Sequence, residues 1–250
     1  MLNKAFLEGY FDAYMYEILN EQQNPSNRPV TTLFLLQSLD GKISTGPTDN
    51  FDVDKDIPKL SGNPAQGLHQ YYEAEQETDL WSLNSGRVMA KVGYNSKPFA
   101  KERCPVNFVI IDNNHLTDHG VSYTCSVFNH FYLVTSNKNH PAYLSNEDNL
   151  TIIEYNGKFN PKNMLEELYK YGCKELTIQT GSTLNNIFLR NHLIDKVNIV
   201  ICPILVGGTN TSSLIGGSDV KKLSDIGILN LTKIKKLNNS YIEVFYDVVN

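Results

Sequence analysis

The strongest constraint on this chain's fold is a series of short, nearly continuous apolar runs separated by helical stretches. Residues 30–37 (Val-Thr-Thr-Leu-Phe-Leu-Leu-Gln), 107–112, 131–135, 150–155 and 196–206 are such runs. A strand tolerates apolar residues on both faces only when both are covered, as in a parallel sheet between helices. Two shorter runs, 79–85 and 175–179, end beside glycine-containing turns. Helical patterns fall between. Residues 64–76 put Leu68, Tyr71 and Tyr72 inward, and a helical stretch covers 87–92. Over 160–172, Asn160 caps, Pro161 enters, Met164, Leu165, Leu168 and Tyr169 make the apolar face, and Gly172 ends the helix. Residues 182–193 form another. The chain finishes with strands over 231–237 and 241–248 around Asn238-Asn239, residues that tolerate a hairpin turn. The series predicts an α/β fold, with a mostly parallel central sheet, helices on both faces and C-terminal antiparallel strands. An aromatic-rich helical pattern over 3–20 adds an N-terminal extension, 1–27, before one domain over 28–250.

Composition narrows the function. With 22 basic and 27 acidic residues the net charge is −5, which argues against nucleic acid as a partner. A small phosphorylated ligand is still compatible with a local site. No apolar run is long enough to span a membrane. The four cysteines, Cys104, Cys125, Cys173 and Cys202, form no Cys-x-x-Cys pair, so no metal site is expected and a reducing compartment is. The start of the chain lacks the apolar core of a secretion signal, and a cytoplasmic protein is expected.

Ligands of open α/β sheets bind where strands turn into helices. Two such turns stand out. Gln179-Thr180-Gly181-Ser182-Thr183-Leu184-Asn185 runs from strand through glycine into helix. The glycine admits close approach, and the helix start offers free amides and hydroxyls for a pyrophosphate. A plain helix cap would explain the same residues. Leu83-Asn84-Ser85-Gly86-Arg87-Val88-Met89 repeats the design, with Arg87 adding a charge for phosphate. Neither turn is Gly-x-Gly-x-x-Gly, and there is no Walker sequence. After the first strand, Ser38-Leu39-Asp40-Gly41-Lys42 reads either as a simple Asp-Gly turn or as a mobile flap whose Asp40 and Lys42 touch the ligand.

Taken together these motifs resemble the reductase domain of riboflavin biosynthesis, the C-terminal part of bacterial bifunctional deaminase-reductases and a branch of the dihydrofolate reductase-like superfamily. The matching residues are Ser38 to Lys42, the Gly181 to Asn185 turn, Leu193-Ile194-Asp195, and Pro203-Ile204-Leu205-Val206-Gly207-Gly208. The resemblance implies an NADPH-dependent reductase of the ribosyl side chain of a 5-amino-6-(5-phosphoribosylamino)pyrimidine. It places the nicotinamide near Leu36 and Ser38, and the pyrophosphate between Gly86, Arg87, Val88 and Gly181, Ser182, Thr183, Leu184. Ser136 and Lys138 would meet the 2′-phosphate and favour NADPH over NADH. Substrate contacts would come from Asp40, Lys42 and Gln179, with Asp40 the candidate catalytic residue and either Asp40 or water delivering the proton. Gln179 stands where the family commonly carries Glu, and Lys91-Val92-Gly93-Tyr94 replaces its usual Asp-Asp-Pro. Two other readings compete: a reductase of a pterin-like or other heteroaromatic compound, and a cofactor-binding module without catalysis. The exposed apolar pattern of the terminal strands, together with the resemblance, predicts a homodimer.

Overall fold

A computed structural model describes residues 27–249, so the helix expected over 3–20 lies outside the described residues. The strands are β1 (Val30–Ser38), β2 (Trp81–Ser85), β3 (Cys104–Ile111), β4 (Phe128–Thr135), β5 (Leu150–Glu154), β6 (Glu175–Ile178), β7 (Lys196–Cys202), β8 (Ile228–Lys236) and β9 (Ile242–Val249). They form one sheet in the order β5-β4-β3-β2-β6-β1-β7-β9-β8. The pairs from β5 through β7 are parallel, and β9 pairs antiparallel with both β7 and β8. The helices are α1 (Val53–Asp56), α2 (Asn63–Gly67), α3 (His69–Glu75), α4 (Gly86–Lys91), α5 (Asp118–Val127), α6 (Pro161–Lys170) and α7 (Ser182–Arg190). This is the expected α/β arrangement.

Alternate side chains of each strand serve opposite faces, because the strand period is two. Leu33, Leu83, Val109, Val134 and Ile178 pack with Leu165 and Leu168 of α6 and Phe188 of α7. On the other face Ile110, Phe131 and Leu133 pack with Met89 of α4 and Val121 of α5. There too, Phe34 and Leu36 meet Ile57, Leu68 and Tyr71. Leu33, Leu83, Leu133, Leu165 and Leu168 are almost wholly buried. Truncating any one of them to alanine costs about 2–5 kcal/mol, so the centre of the sheet is the rigid base on which loops are held. No helix among the described residues is long and apolar enough to cross a membrane.

Several local expectations change. The single helix expected over 64–76 is two, α2 and α3. The strand expected to reach 206 ends at Cys202, because Pro203 has no amide for the ladder. Helix α5 was not expected. Its sequence, Asp-His-Gly-Val-Ser-Tyr-Thr-Cys-Ser-Val, holds a glycine and few helix formers, and tertiary packing of Val121 and Cys125 decides the matter. Thr117 caps it by accepting from the Gly120 amide. In the hairpin, the left-handed residues are Asn239 and Ser240 (φ 55° and 65°), one position later than expected.

Two ties hold distant segments. Arg28 donates to both carboxylate oxygens of Asp195 at 2.7 Å, joining the entry to β1 with the entry to β7. The hairpin is tied to α2 and α3: the Tyr241 hydroxyl donates to the Pro64 carbonyl (2.6 Å), and the Gln70 amide side chain exchanges bonds with the Asn238 backbone.

Candidate active site

A cleft of about 630 Å³ opens along the carboxyl ends of β1, β2, β3 and β6. Its lining divides by chemistry. At one end α1 and α3 supply carboxyl groups and rings. Tyr71 stacks on Phe34 with centroids 5.3 Å apart, which fixes α3 against β1. The Tyr72 hydroxyl donates to Asp54 Oδ1 (2.8 Å), and Lys91 pairs with the buried Asp52 (3.0 Å). Gln179 is fixed by its neighbours: Ser82 Oγ donates to Oε1 (2.8 Å), so Nε2 points to Glu75 Oε1 (2.6 Å). Burial pushes the Glu75 carboxyl above its ordinary pKa, and the nearby Asp54 charge adds to this. Asp54 is raised too, by protein packed around its carboxyl and by Asp52.

The middle of the cleft is the approach of the two turns. Val88 of α4 lies against Gly181, the N-cap of α7. Gly181 has an ordinary backbone (φ −75°), and an added Cβ would meet only Val88 Cγ2, at 4.0 Å. Its missing side chain therefore leaves free volume facing the cleft. Ser182 Oγ is shielded and makes no hydrogen bond among the described residues. The first-turn amides of α7 have no partner within the helix. Free amides and open space at a helix start fit an anionic group, while the Ser182 hydroxyl is packed against Gly216. Gly86 differs. It is buried, does not line the cleft, and an added Cβ would collide with Asp112. The fold requires that glycine for packing, not for ligand approach.

The other end follows β3: Asn113, Asn114 and His115 line it over the buried Asp112. Asp112 accepts from His115 Nδ1 (2.8 Å), His140 Nε2 (3.1 Å) and the Leu116 amide (2.8 Å). Burial alone would raise its pKa, but these donors outweigh it and hold the carboxyl well below the usual range.

Of the residues read from the sequence, Leu36, Arg87, Val88, Gln179, Gly181, Ser182, Thr183 and Leu184 line this cleft. Arg87 stands at the rim, paired with Asp49 at 3.0 Å. Ser38, Asp40, Lys42, Gly86, Ser136 and Lys138 are not among the lining residues. The Asp40 carboxylate accepts from Ser38 Oγ (2.5 Å) and the Val206 and Gly207 amides (3.0 and 2.6 Å). The Ser38 hydroxyl above all, then those amides, lowers its pKa to about 2. Asp40 therefore stays ionised near neutrality and has no proton to give. Lys42 Nζ donates to the Gly208 and Thr211 carbonyls (2.9 and 3.2 Å). Together they latch this loop to the loop after β7, in place of the mobile flap. Ser136 is bound to Asn113 through its amide and hydroxyl, and Lys138 pairs with Glu154 at 3.4 Å. Glu75, Asp54 and His115 were missed. The strand-end rule applied to β3 as to β2 would have found His115, whereas nothing local marks Glu75, which tertiary packing brings to Gln179.

A mostly parallel, doubly covered sheet with a long cleft across its strand ends defines an α/β protein built to hold an extended ligand. Residues 29–242 match the family described as the RibD C-terminal domain, and the chain belongs to that family. It is 37% identical over 68 residues to the 2,5-diamino-6-ribosylamino-4(3H)-pyrimidinone 5′-phosphate reductase of Aquifex aeolicus, covering 27% of this chain and 30% of that protein. The protein of the same description from Methanothermobacter thermautotrophicus is 33% identical over 79 residues, 32% of this chain and 37% of that one. Each match thus spans about a third of the relative's length. Among solved structures, RibD of Acinetobacter baumannii superposes with a TM-score of 0.63 at 18% identity, covering 90% of this chain and 59% of that one. The deaminase/5-amino-6-(5-phosphoribosylamino)uracil reductase of Thermotoga maritima gives 0.60 at 16%, covering 89% and 57%. At these identities the structural likeness speaks for the fold.

Proposed function

We propose that this protein is an NADPH-dependent reductase of riboflavin biosynthesis, acting on the ribosyl side chain of a 5-amino-6-(5-phosphoribosylamino)pyrimidine. The observation that carries the reading is the cleft itself, with a helix start and open space at Gly181 in its middle and a carboxyl-lined pocket at one end. Family membership and the activity named for the two relatives support the substrate. The first-turn amides of α7, from Ser182 onward, would hold the pyrophosphate. Leu36 and Val88 would flank the dinucleotide, and the end with Glu75, Asp54 and Tyr72 would face the substrate. The cofactor's chemistry is hydride donation to the sugar carbon. The protein's part is to exclude water, orient the substrate and deliver a proton. In this reading the Glu75 oxygen not engaged by Gln179 holds that proton, since burial favours the neutral acid. The proposed setting is the cytoplasm, in keeping with four free cysteines.

The test is NADPH oxidation with purified protein and a substrate panel. Turnover is expected with 2,5-diamino-6-ribosylamino-4(3H)-pyrimidinone 5′-phosphate or its deaminated counterpart. Turnover of pterins alone would replace this reading with the heteroaromatic one. Dinucleotide binding without any turnover would leave a binding module.

The proposed assembly is a homodimer through the hairpin. Edge strand β8 exposes Ile228, Leu229, Leu231 and Ile234, more apolar surface than an isolated edge sustains. Sedimentation should give about twice the 28.2 kDa chain mass at micromolar concentration, and a single monomeric species would count against it.

A further inference from the structure

We propose that Asn185 is a positioning residue that fixes one rim of the cleft to the start of α7, so that a dinucleotide bound at that helix start sets the rim for the substrate. The inference rests on the reductase reading above. Asn185 is wholly buried and is not among the lining residues, so it acts through others. Both ends of its amide are used. A backbone carbonyl only accepts, so Nδ2 faces the Leu214 carbonyl (2.8 Å). Oδ1 then faces the Thr180 hydroxyl, which donates to it (2.6 Å). Thr180 lines the cleft directly before Gly181. One buried side chain thus joins the turn of the proposed pyrophosphate site to the loop after β7.

That loop is not alone. The Leu214 amide donates to the Gly41 carbonyl (3.1 Å), and the Ile43 amide donates to the Ser212 carbonyl (3.0 Å). With the bonds of Asp40 and Lys42, residues 38–43 and 206–216 make one latched body. Ile43 and Ser212 of this body line the cleft, with Ser44 beside them. The chain then runs on to Asp52 and Asp54 at the carboxyl-lined end, and Thr45 Oγ1 donates to Asp56 of α1 (2.5 Å). Among the described residues, two hydrogen bonds join the latched body to α7. One is that of Asn185, and the other runs from the Gly216 amide to the Ser182 carbonyl (3.2 Å). The Asn185 bond is the shorter. Removing it leaves the Leu214 carbonyl and the Thr180 hydroxyl without their partner, and the body held to α7 at one point can pivot there. Coupling of this kind is reciprocal: what the dinucleotide does for the rim, a bound substrate does for the dinucleotide.

Two measurements test this. Amide hydrogen exchange with and without NADPH reads the coupling without turnover. In the wild type, NADPH should slow exchange in α7 and in residues 38–43 and 206–216. In Asn185→Ala it should still slow exchange in α7 but no longer in the latched loops. Steady-state kinetics with the pyrimidine substrate should show KM raised about tenfold in this variant, with kcat and NADPH affinity within about threefold. Leu165→Ala is the control, because it weakens the core under α6, away from the cleft. It should lower the melting temperature at least as much yet keep the wild-type KM and the loop protection. Asn185→Ser, which leaves a smaller gap and cannot reach Leu214, serves if the alanine variant is unstable. Wild-type KM and loop protection in a folded Asn185 variant, or the same changes in Leu165→Ala, would make Asn185 a packing residue and overturn the assignment alone. A wild type that shows the loop protection but turns over neither pyrimidine overturns the reductase reading alone. A wild type that binds no NADPH overturns both.

Discussion

Gly181→Val should lower dinucleotide affinity at least about a hundredfold, roughly 2.7 kcal/mol, while the protein stays folded. The two halves of this expectation have separate causes. The native backbone at Gly181 is one that any residue adopts, and a Cβ meets only Val88 at 4.0 Å. Valine is a poor N-cap, so α7 loses about 1 kcal/mol, a melting shift of about 2–4 °C in a domain of this size. The added methyl groups, however, project into the volume beside Ser182 and the first-turn amides where the pyrophosphate would sit. Gly86→Ala is the mirror case. Its Cβ drives into Asp112, so the loss should appear in stability, about 1–3 kcal/mol, as overpacking does. Melting and calorimetry on the same samples separate the two. Wild-type affinity in Gly181→Val would return this turn to the role of a simple helix cap.

Glu75→Gln should reduce turnover by about two to three decades with less than about a threefold change in NADPH affinity. Glutamine can still accept from Gln179 Nε2, so the bond at 2.6 Å survives and the wall keeps its shape. What disappears is the proton. The pH profile carries the distinguishing signature. Burial raises the Glu75 pKa, so the acid form persists above the ordinary carboxylate range, and turnover should fall as pH rises through the raised value. The variant should lack that limb. The linkage has the same sign: the folded state binds this proton more tightly than the unfolded chain, so ionising Glu75 costs stability as pH rises, and the variant escapes that cost. Unchanged turnover would assign proton delivery to water.

Much of this molecule was legible before any coordinates. Runs such as 30–37 and 107–112 are apolar on both faces, and only a doubly covered parallel sheet accepts that pattern. The Gly181 turn was equally visible, because glycine followed by two hydroxyl residues at a strand end is a local signal. The failures share a cause. Glu75 and Gln179 are far apart in sequence and meet only because α3 lies over β1 and β6 lies beside it. Asp40 looked reactive because sequence shows a carboxyl group near a strand end, but not the two amides from the loop after β7 that neutralise its interest. Lys138 looked like a phosphate contact for the same reason, since Glu154 arrives from the neighbouring strand β5. Residue type and local pattern reveal supply of a functional group. Whether the group is free depends on partners that only the fold brings.

The bonds from Tyr241 and Asn238 to Pro64 and Gln70 have a dynamic meaning. They couple the hairpin at the sheet's margin to α2 and α3, and α3 carries Tyr71, Tyr72 and Glu75. Opening of the hairpin therefore breaks bonds that also hold the pocket wall, so the two motions are coupled. A second subunit seated on that margin would raise the energy of this opening and hold the wall in place from outside the pocket, so subunit association and the ordering of the reaction chamber become the same process seen at two distances.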